Sequence, residues 1–174
     1  MNSKKAVTGL IGWQDGKFKT PSGKYEFASE TAVSEGHELL PVWTEEMKTP
    51  EKYPLRLMSP HWKLSINGQF QNLDWMMDIH SEPVVEMHPE TAARYHVQNG
   101  DMVKLYNEQG AITLKAKLTK VTAPDTLVVY EMWLNDKDFN VNNTLKSLPA
   151  DMGKKATGAP GIAFHDNFVA LAKA

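Results

Sequence analysis

Cysteine is missing altogether from the 174 residues. Its absence excludes disulfides, thiolate nucleophiles, iron–sulfur ligation and cysteine-type zinc sites together, and it leaves the redox compartment open. An excess of one charge is missing too. Lysine and arginine total 19 against 21 for aspartate and glutamate, a formal net charge of −2. Bulk electrostatics therefore favours neither a nucleic acid nor an anionic membrane surface as partner. No apolar run approaches the roughly 20 residues that span a bilayer. The opening MNSKKAVTGLIGW is too broken in its hydrophobicity to form the h-region of a secretory signal, and none is read there.

Catalytic signatures are equally scarce. Neither GxSxG nor HExxH occurs, and the carboxylates are scattered rather than paired. His37, His61, His80, His88, His96 and His165 fall in no compact ligand spacing, which argues against a dedicated zinc site. Glu131 and Asp136 flank an expected strand end, but no catalytic partner is evident for either. The chain shows no self-sufficient active site.

What the chain does have is a succession of short alternating segments separated by turn chemistry. Residues 17–29, KFKTPSGKYEFAS, read as a hairpin around Thr20-Pro21-Ser22-Gly23, with Pro and Gly where a type I turn prefers them. Residues 30–52 are acidic and proline-interrupted, and read as a linker or arm. YPLRLMS opens a strand in which Leu55 and Leu57 alternate with Arg56 and Met58. Residues 60–82 form a long polar and aromatic loop with a helical turn near Leu73–Met77. PVVEM is a short strand, and HPETAARYH a helix of about two turns with Pro89 at its first position. Val103 and Leu105, then Ile112, Leu114, Ala116 and Leu118, mark two strands joined by the Asn107–Gly110 turn. LVVYEMW (127–133) is a more continuously apolar strand, and FHDNFVALAK (164–173) a closing one. Many short strands, one clear helix and two long polar loops favour a small closed barrel.

The densest turn chemistry lies in VQNGDMVKLYNEQGAI, residues 97–112. A phosphate cradle would need more glycines or a GK[ST], and Asp101 would repel a phosphate. Gly100 and Asp101 therefore read as architecture. The loops at 59–72 and 140–161 are the better binding candidates, because Ser, Asn, Gln and Lys there suit a polar heterocycle carrying sugar and phosphate.

Taken in order, FKTPSGKYEFAS, YPLRLMSPHWKLSINGQFQN, VEMHPETAARYHVQNGDMVKLYNEQGAITLKAKLT, NVNNTL and GAPGIAFHDNFVALAK resemble one known arrangement. From about Phe18 to Lys173 the chain resembles the C-terminal, molybdopterin-dinucleotide-binding domain of the dimethyl sulfoxide reductase family. That family includes formate dehydrogenases, nitrate reductases and polysulfide or thiosulfate reductases. The implied fold is mainly β: a double-psi β-barrel of about six strands with a few short helices. In it a Gly-Asp box closes a ψ loop. The expected division is an N-terminal hairpin and arm over 1–52 and the barrel over 53–174.

The resemblance implies a cofactor-capping role over bis(molybdopterin guanine dinucleotide), with molybdenum or tungsten, shared with the remaining domains of an oxidoreductase catalytic subunit. By position it assigns cofactor contacts to Ser59, His61, Ser65, Gln69, Asn72, Asn142 and His165. Two departures stand out. Many relatives carry His-Ser where Asn67-Gly68 stands here, and Lys or Asn where His165 stands. The metal ligand belongs to other domains, so the chain is expected to be an excised C-terminal domain or a split subunit, catalytically silent alone. No nucleic acid and no membrane contact is expected, and the parent enzyme would be cytoplasmic or periplasmic. The rival reading is a stand-alone double-psi barrel serving as an adaptor for a protein partner, as in ATP-driven unfoldases.

Overall fold

A computed structural model of the chain describes residues 11–70, 73–79, 82–131, 139–150 and 158–174. It divides into two compact units, Met1–Glu45 and Glu46–Ala174.

In the first unit the chain reverses at the expected turn, where Gly23 N–H donates to Thr20 O at 3.0 Å and Phe18 N–H to Gly23 O at 3.1 Å. The flanking segments form no strand ladder. A lone two-stranded ribbon is marginal in water, and here ring packing takes its place. Trp13 stacks on Phe18, Phe18 meets Tyr25 edge-on, and Tyr25 meets Phe27 with centroids 5.0 Å apart. The stretch read as a polar linker holds a short helix, α1 (Glu30–Ser34), capped by Ser29, whose side chain accepts the Ala32 N–H at 3.1 Å.

The second unit is a closed six-stranded barrel. Its strands are β1 (Leu55–Met58), β2 (Val84–Met87), β3 (Met102–Tyr106), β4 (Ala111–Leu118), β5 (Thr126–Val128) and β6 (Phe168–Lys173). Around the barrel they run β1-β5-β2-β4-β3-β6, with β1 and β5 parallel, β2 and β4 parallel, and the other neighbours antiparallel. Two short helices, α2 (Asp74–Ile79) and α3 (Pro89–Arg94), accompany them.

The alternation read from sequence points inward as expected. Leu55, Leu57, Val103, Leu105, Ile112 and Leu114 are buried, while Lys104, Tyr106 and Thr113 are exposed. Each such leucine or isoleucine contributes on the order of 2 kcal/mol by leaving water. Two strands are shorter than expected. β6 begins at Phe168 rather than Phe164; ahead of it the His165 carbonyl and the Asp166 side chain are bound by Arg56, the Asn167 side chain reaches Thr144, and Asn167 O already accepts the Leu57 N–H of β1. β5 ends at Val128, and the expected continuation at Met132 and Trp133 lies outside the described residues.

Register defines two ends. Met58 of β1 stands opposite Val128 of β5, Val84 of β2 opposite Lys115, and Tyr106 of β3 opposite both Ala111 and Ala170. The segments leaving β1 and β5, the segments entering β2 and β6, and the β3–β4 turn therefore all lie at one end, here termed the loop end. The opposite, helix end carries α3 and the Gly-Asp box. There His88 caps α3, its Nδ1 accepting the Glu90 N–H at 3.2 Å. Arg94 pairs with Asp125, whose backbone N–H donates to Thr91 Oγ1 at 3.0 Å.

The box is architectural, as read. Gly100 N–H donates to Ala116 O, and Ala116 N–H returns the bond to Asp101 O, each at 2.8 Å. Asp101 Oδ2 accepts the Gln98 N–H at 2.8 Å and meets Lys173 Nζ at 2.7 Å. The box thus ties the start of β3 to β4 and to the end of β6.

Gly100 holds φ +90 with nothing within 4 Å of an added Cβ, so backbone conformation rather than space governs substitution there. Gly100→Val should lower stability by about 2 kcal/mol, and Gly100→Asn by less, because asparagine tolerates positive φ. Equal thermal midpoints for the valine variant and the wild type would refute this.

The Lys173 ammonium, and after it the Gln98 N–H, hold the Asp101 carboxyl below its usual range. A depressed folded pKa means stabilisation that is present above the ordinary carboxylate range, near pH 4, and lost as pH falls through the folded value. The midpoint gap between wild type and Asp101→Asn should be full at neutral pH and shrink in acid. A gap that widens in acid would contradict the pairing.

Candidate functional site

Of the seven residues assigned to cofactor contact, six lie in the described residues, and all six stand on segments at the loop end. Asn72 lies outside the described residues. The helix end, by contrast, is occupied by internal pairings.

The parallel β1–β5 pairing continues past both strands, with Val129 N–H donating to Met58 O at 3.0 Å and Glu131 N–H to Pro60 O at 3.2 Å. Ser59 is half-buried on this extension and His61 leaves it exposed. His61 Nδ1 lies 2.5 Å from Glu131 Oε1. That oxygen is sealed from solvent and has no hydrogen-bond donor aligned on it. Glu131, which lacked an evident partner in the sequence, thus meets one of the predicted site residues.

The loop after β1 is a chain of tight turns. Ser65 N–H donates to Trp62 O, Gln69 N–H to Ile66 O and Leu73 N–H to Phe70 O, at 3.0–3.2 Å. Asn67 and Phe70 take positive φ, of 49° and 73°. The folded-back loop leaves Gln69 exposed and Ser65 half-buried, and α2 anchors its far side through buried Met76.

Asn142 stands on a tight 3₁₀ turn, Val141–Thr144, which Asn140 caps by accepting the Asn142 N–H at 3.0 Å. Val141 and Thr144 point into the protein while Asn142 is exposed. Beneath the turn sits a polar network. Asn107 Nδ2 donates to Thr144 O at 2.7 Å and to Phe168 O at 3.0 Å, with Asn167 Oδ1 at 3.3 Å. Asn167 Nδ2 in turn reaches Thr144 Oγ1 at 3.3 Å. Gly110, at the other corner of the same β-turn, lies so close to the 3₁₀ turn that a Cβ there would stand 2.6 Å from Asn143 O.

His165 is exposed on the approach to β6. Its carbonyl accepts from Arg56 Nη1 at 3.3 Å, and the same guanidinium pairs with Asp166 and Glu46 at 3.1 Å each and lies over the Phe168 ring. None of Asn107, Thr144, Asn167 or Arg56 had been read as a site residue. The one available signal was the Asn-x-x-Gly spacing, which was read only as a turn.

Around these polar groups the loop end exposes Leu64, Ile66, Phe70, Trp75, Ile162 and Phe164. Exposed apolar side chains mixed with polar groups are what a surface that receives a ligand or a neighbouring domain would present. Serine, asparagine, glutamine and histidine side chains stand among them, with the exposed charges of Lys63, Glu108 and Lys146 on the same segments, and the chemistry of the neutral groups suits hydrogen bonding to a polar heterocycle, sugar or phosphate. Among the described residues no group of three or more His, Asp or Glu is placed to hold a metal ion. None of the described helices is long and apolar enough to cross a membrane.

Fold and site thus define a barrel whose loop end presents serine, asparagine, glutamine and histidine groups beside exposed apolar side chains. Residues 55–160 match the family model described as "Molydopterin dinucleotide binding domain", and the chain belongs to that family. It is 28% identical over 159 residues to dimethyl sulfoxide reductase DmsA of Haemophilus influenzae, covering 78% of this chain and 20% of that one. To DmsA of Escherichia coli it is 27% identical, covering 88% of this chain and 21% of the relative. The chain therefore spans about a fifth of the length of these curated relatives. Among solved structures, acetylene hydratase from Pelobacter acetylenicus matches the fold with a TM-score of 0.68 at 20% identity, over 94% of this chain and 25% of that one.

Asn107→Ala would strand Thr144 O and Phe168 O, and should cost about 2 kcal/mol. Gly110→Ala drives a Cβ against backbone, and should shift the Asn142 amide resonance while the amides of Gly100 and Ala116 at the helix end stay in place. Unchanged unfolding of the first variant and an unmoved Asn142 amide in the second would show that the network does not set the loop.

Proposed function

We propose that the chain is the cofactor-capping domain of a molybdopterin-dependent oxidoreductase, with its loop end turned toward bis(molybdopterin guanine dinucleotide). The supporting observation is convergence. The β1 loop, the 3₁₀ turn and the approach to β6 come together at one barrel end, while the other end is consumed by internal bonds. The family match supports a molybdopterin dinucleotide as ligand. The guanine form, the pair of pterins, and molybdenum or tungsten as metal are the finer parts of this proposal.

The donor set fits such a group. Ser59, Ser65, Gln69, Asn142 and His165 offer donors and acceptors without a fixed opposing charge, and Asn72 is assigned to the same loop. Glu131 Oε1 is closed to solvent and lies 2.5 Å from His61 Nδ1, so it backs the ligand-facing surface rather than forming it. When bound, the group supplies two-electron redox chemistry at its metal. The protein's part is to bind, orient and dry that group. Leu64, Ile66, Phe70 and Trp75 exclude water from the covered surface, which strengthens each hydrogen bond made there. Residues 1–52 serve as the arm and 53–174 as the binding domain. The remaining domains of a larger catalytic subunit supply the metal's protein ligand and the opposite wall.

Gln69→Ala combined with Asn142→Ala, made in the intact enzyme, should reduce metal bound per polypeptide several-fold through loss of two hydrogen bonds worth about 1 kcal/mol each. Metal content and activity equal to wild type in that double variant would sink the assignment.

A further inference from the structure

We propose that Glu131 holds His61 in its Nδ1–H tautomer, so that Nε2 offers a lone pair to an N–H edge of a bound heterocycle. The ligand half of this proposal rests on the cofactor reading above; the dyad itself does not.

The two residues are brought together by topology. β1 and β5 are parallel neighbours, and the Glu131 N–H to Pro60 O bond carries their pairing one step beyond the strands. Positions 61 and 131 therefore emerge side by side at the mouth of the β1 loop. Nδ1 and Oε1 approach to 2.5 Å. Two lone pairs repel at that distance, so a proton lies between the atoms, and a carboxylate oxygen accepts it. Oε1 is closed to water and has no donor aligned on it, so the nearby Nδ1 proton is the one that reaches it once the imidazole turns into line.

Which imidazole nitrogen keeps the proton is set by the bond the other makes. With Nδ1–H directed to Glu131, a neutral ring carries its lone pair on Nε2. The ring is 71% exposed while Glu131 is 25% exposed, so the ring faces outward and the carboxylate braces it from behind. An Nε2 lone pair accepts from a ring N–H or amino group and repels a bare phosphate or carbonyl oxygen. The ligand edge that fits is the 2-amino and ring N–H edge of a pterin or guanine. Glu131 is thus a positioning residue and His61 the group that touches the ligand.

The test uses the full chain labelled with ¹⁵N-histidine, observed at about pH 8, above the ordinary imidazole range. Long-range ¹H–¹⁵N spectra should show His61 as the Nδ1–H tautomer in the wild type and as the Nε2–H tautomer in Glu131→Ala, with the core methyl resonances unmoved. An Nε2–H tautomer in the wild type overturns the dyad, and that measurement needs no variant to fold. An unchanged tautomer in Glu131→Ala overturns it too. In the second arm the probe is 6-hydroxymethylpterin. Its addition should shift His61 Nε2, and Glu131→Ala should weaken binding about tenfold, as loss of one well-oriented hydrogen bond does. An Nδ1–H wild type whose His61 does not respond to the pterin keeps the dyad and overturns the ligand assignment, and with it the cofactor reading at this loop.

Discussion

A single carboxamide, that of Asn107, has two hydrogens and three acceptors around it: Thr144 O, Phe168 O and, at longer range, Asn167 Oδ1. Its own oxygen accepts the Gln109 N–H at 2.9 Å, which fixes the turn it starts. Those contacts join the β3–β4 turn, the 3₁₀ turn and the start of β6, segments far apart in the chain. Thr144 and Asn167 are almost wholly buried, so a bond broken there is not replaced by water, and the network holds as a unit. Gly110 adds a steric condition from the same turn, since only a residue without Cβ lets Asn143 O lie so near. The positions of Asn142 and of the backbone at Asn167 follow from this junction.

Arg56 does comparable work on the other flank of β6. It bonds the His165 carbonyl and pairs with Asp166 and Glu46 while its plane lies over Phe168. The two anchors meet just ahead of β6. The His165 carbonyl and the Asp166 side chain are held by Arg56 and the Asn167 side chain by the Asn107 network, while Asn167 O accepts the Leu57 N–H at 2.8 Å and leads the chain into the ladder at Phe168.

Much of the barrel was legible from local pattern. Alternation at Leu55/Leu57, Val103/Leu105 and Ile112/Leu114 fixed which faces are buried, because one side-chain period permits one inward face. Proline at the first helical position marked α3. What local pattern does not carry is which strands neighbour each other, and the site depends on that. His61 and Glu131 are 70 positions apart, and only the parallel pairing of β1 with β5 brings them into contact. Asn107 failed to register as a site residue for the same reason, since its partners at Thr144, Asn167 and Phe168 come from a distant stretch. α1 was passed over because its flanks are acidic and broken, although Ser29 three residues before Ala32 was a cap in plain view.

The barrel separates its two tasks by end. At the helix end the charges are spent on one another: Asp101 on Lys173 and Arg94 on Asp125. Such pairs at partly exposed positions fix geometry more than they add energy. At the loop end Arg56 and Glu131 are half-buried, Glu82 is paired with Lys115 on the segment entering β2, and the outward-facing assigned groups Gln69, Asn142, His61 and His165 are amides and imidazoles rather than fixed charges. On the proposed reading this is what a redox cofactor requires of its cap. A neutral donor keeps its hydrogen bond whichever oxidation state the metal adopts, whereas a fixed charge would favour one state by Coulomb energy in a dried, low-dielectric site. A cap built from amides and a braced imidazole can therefore hold the cofactor in place while biasing its potential little, leaving that bias to the domains that ligate the metal.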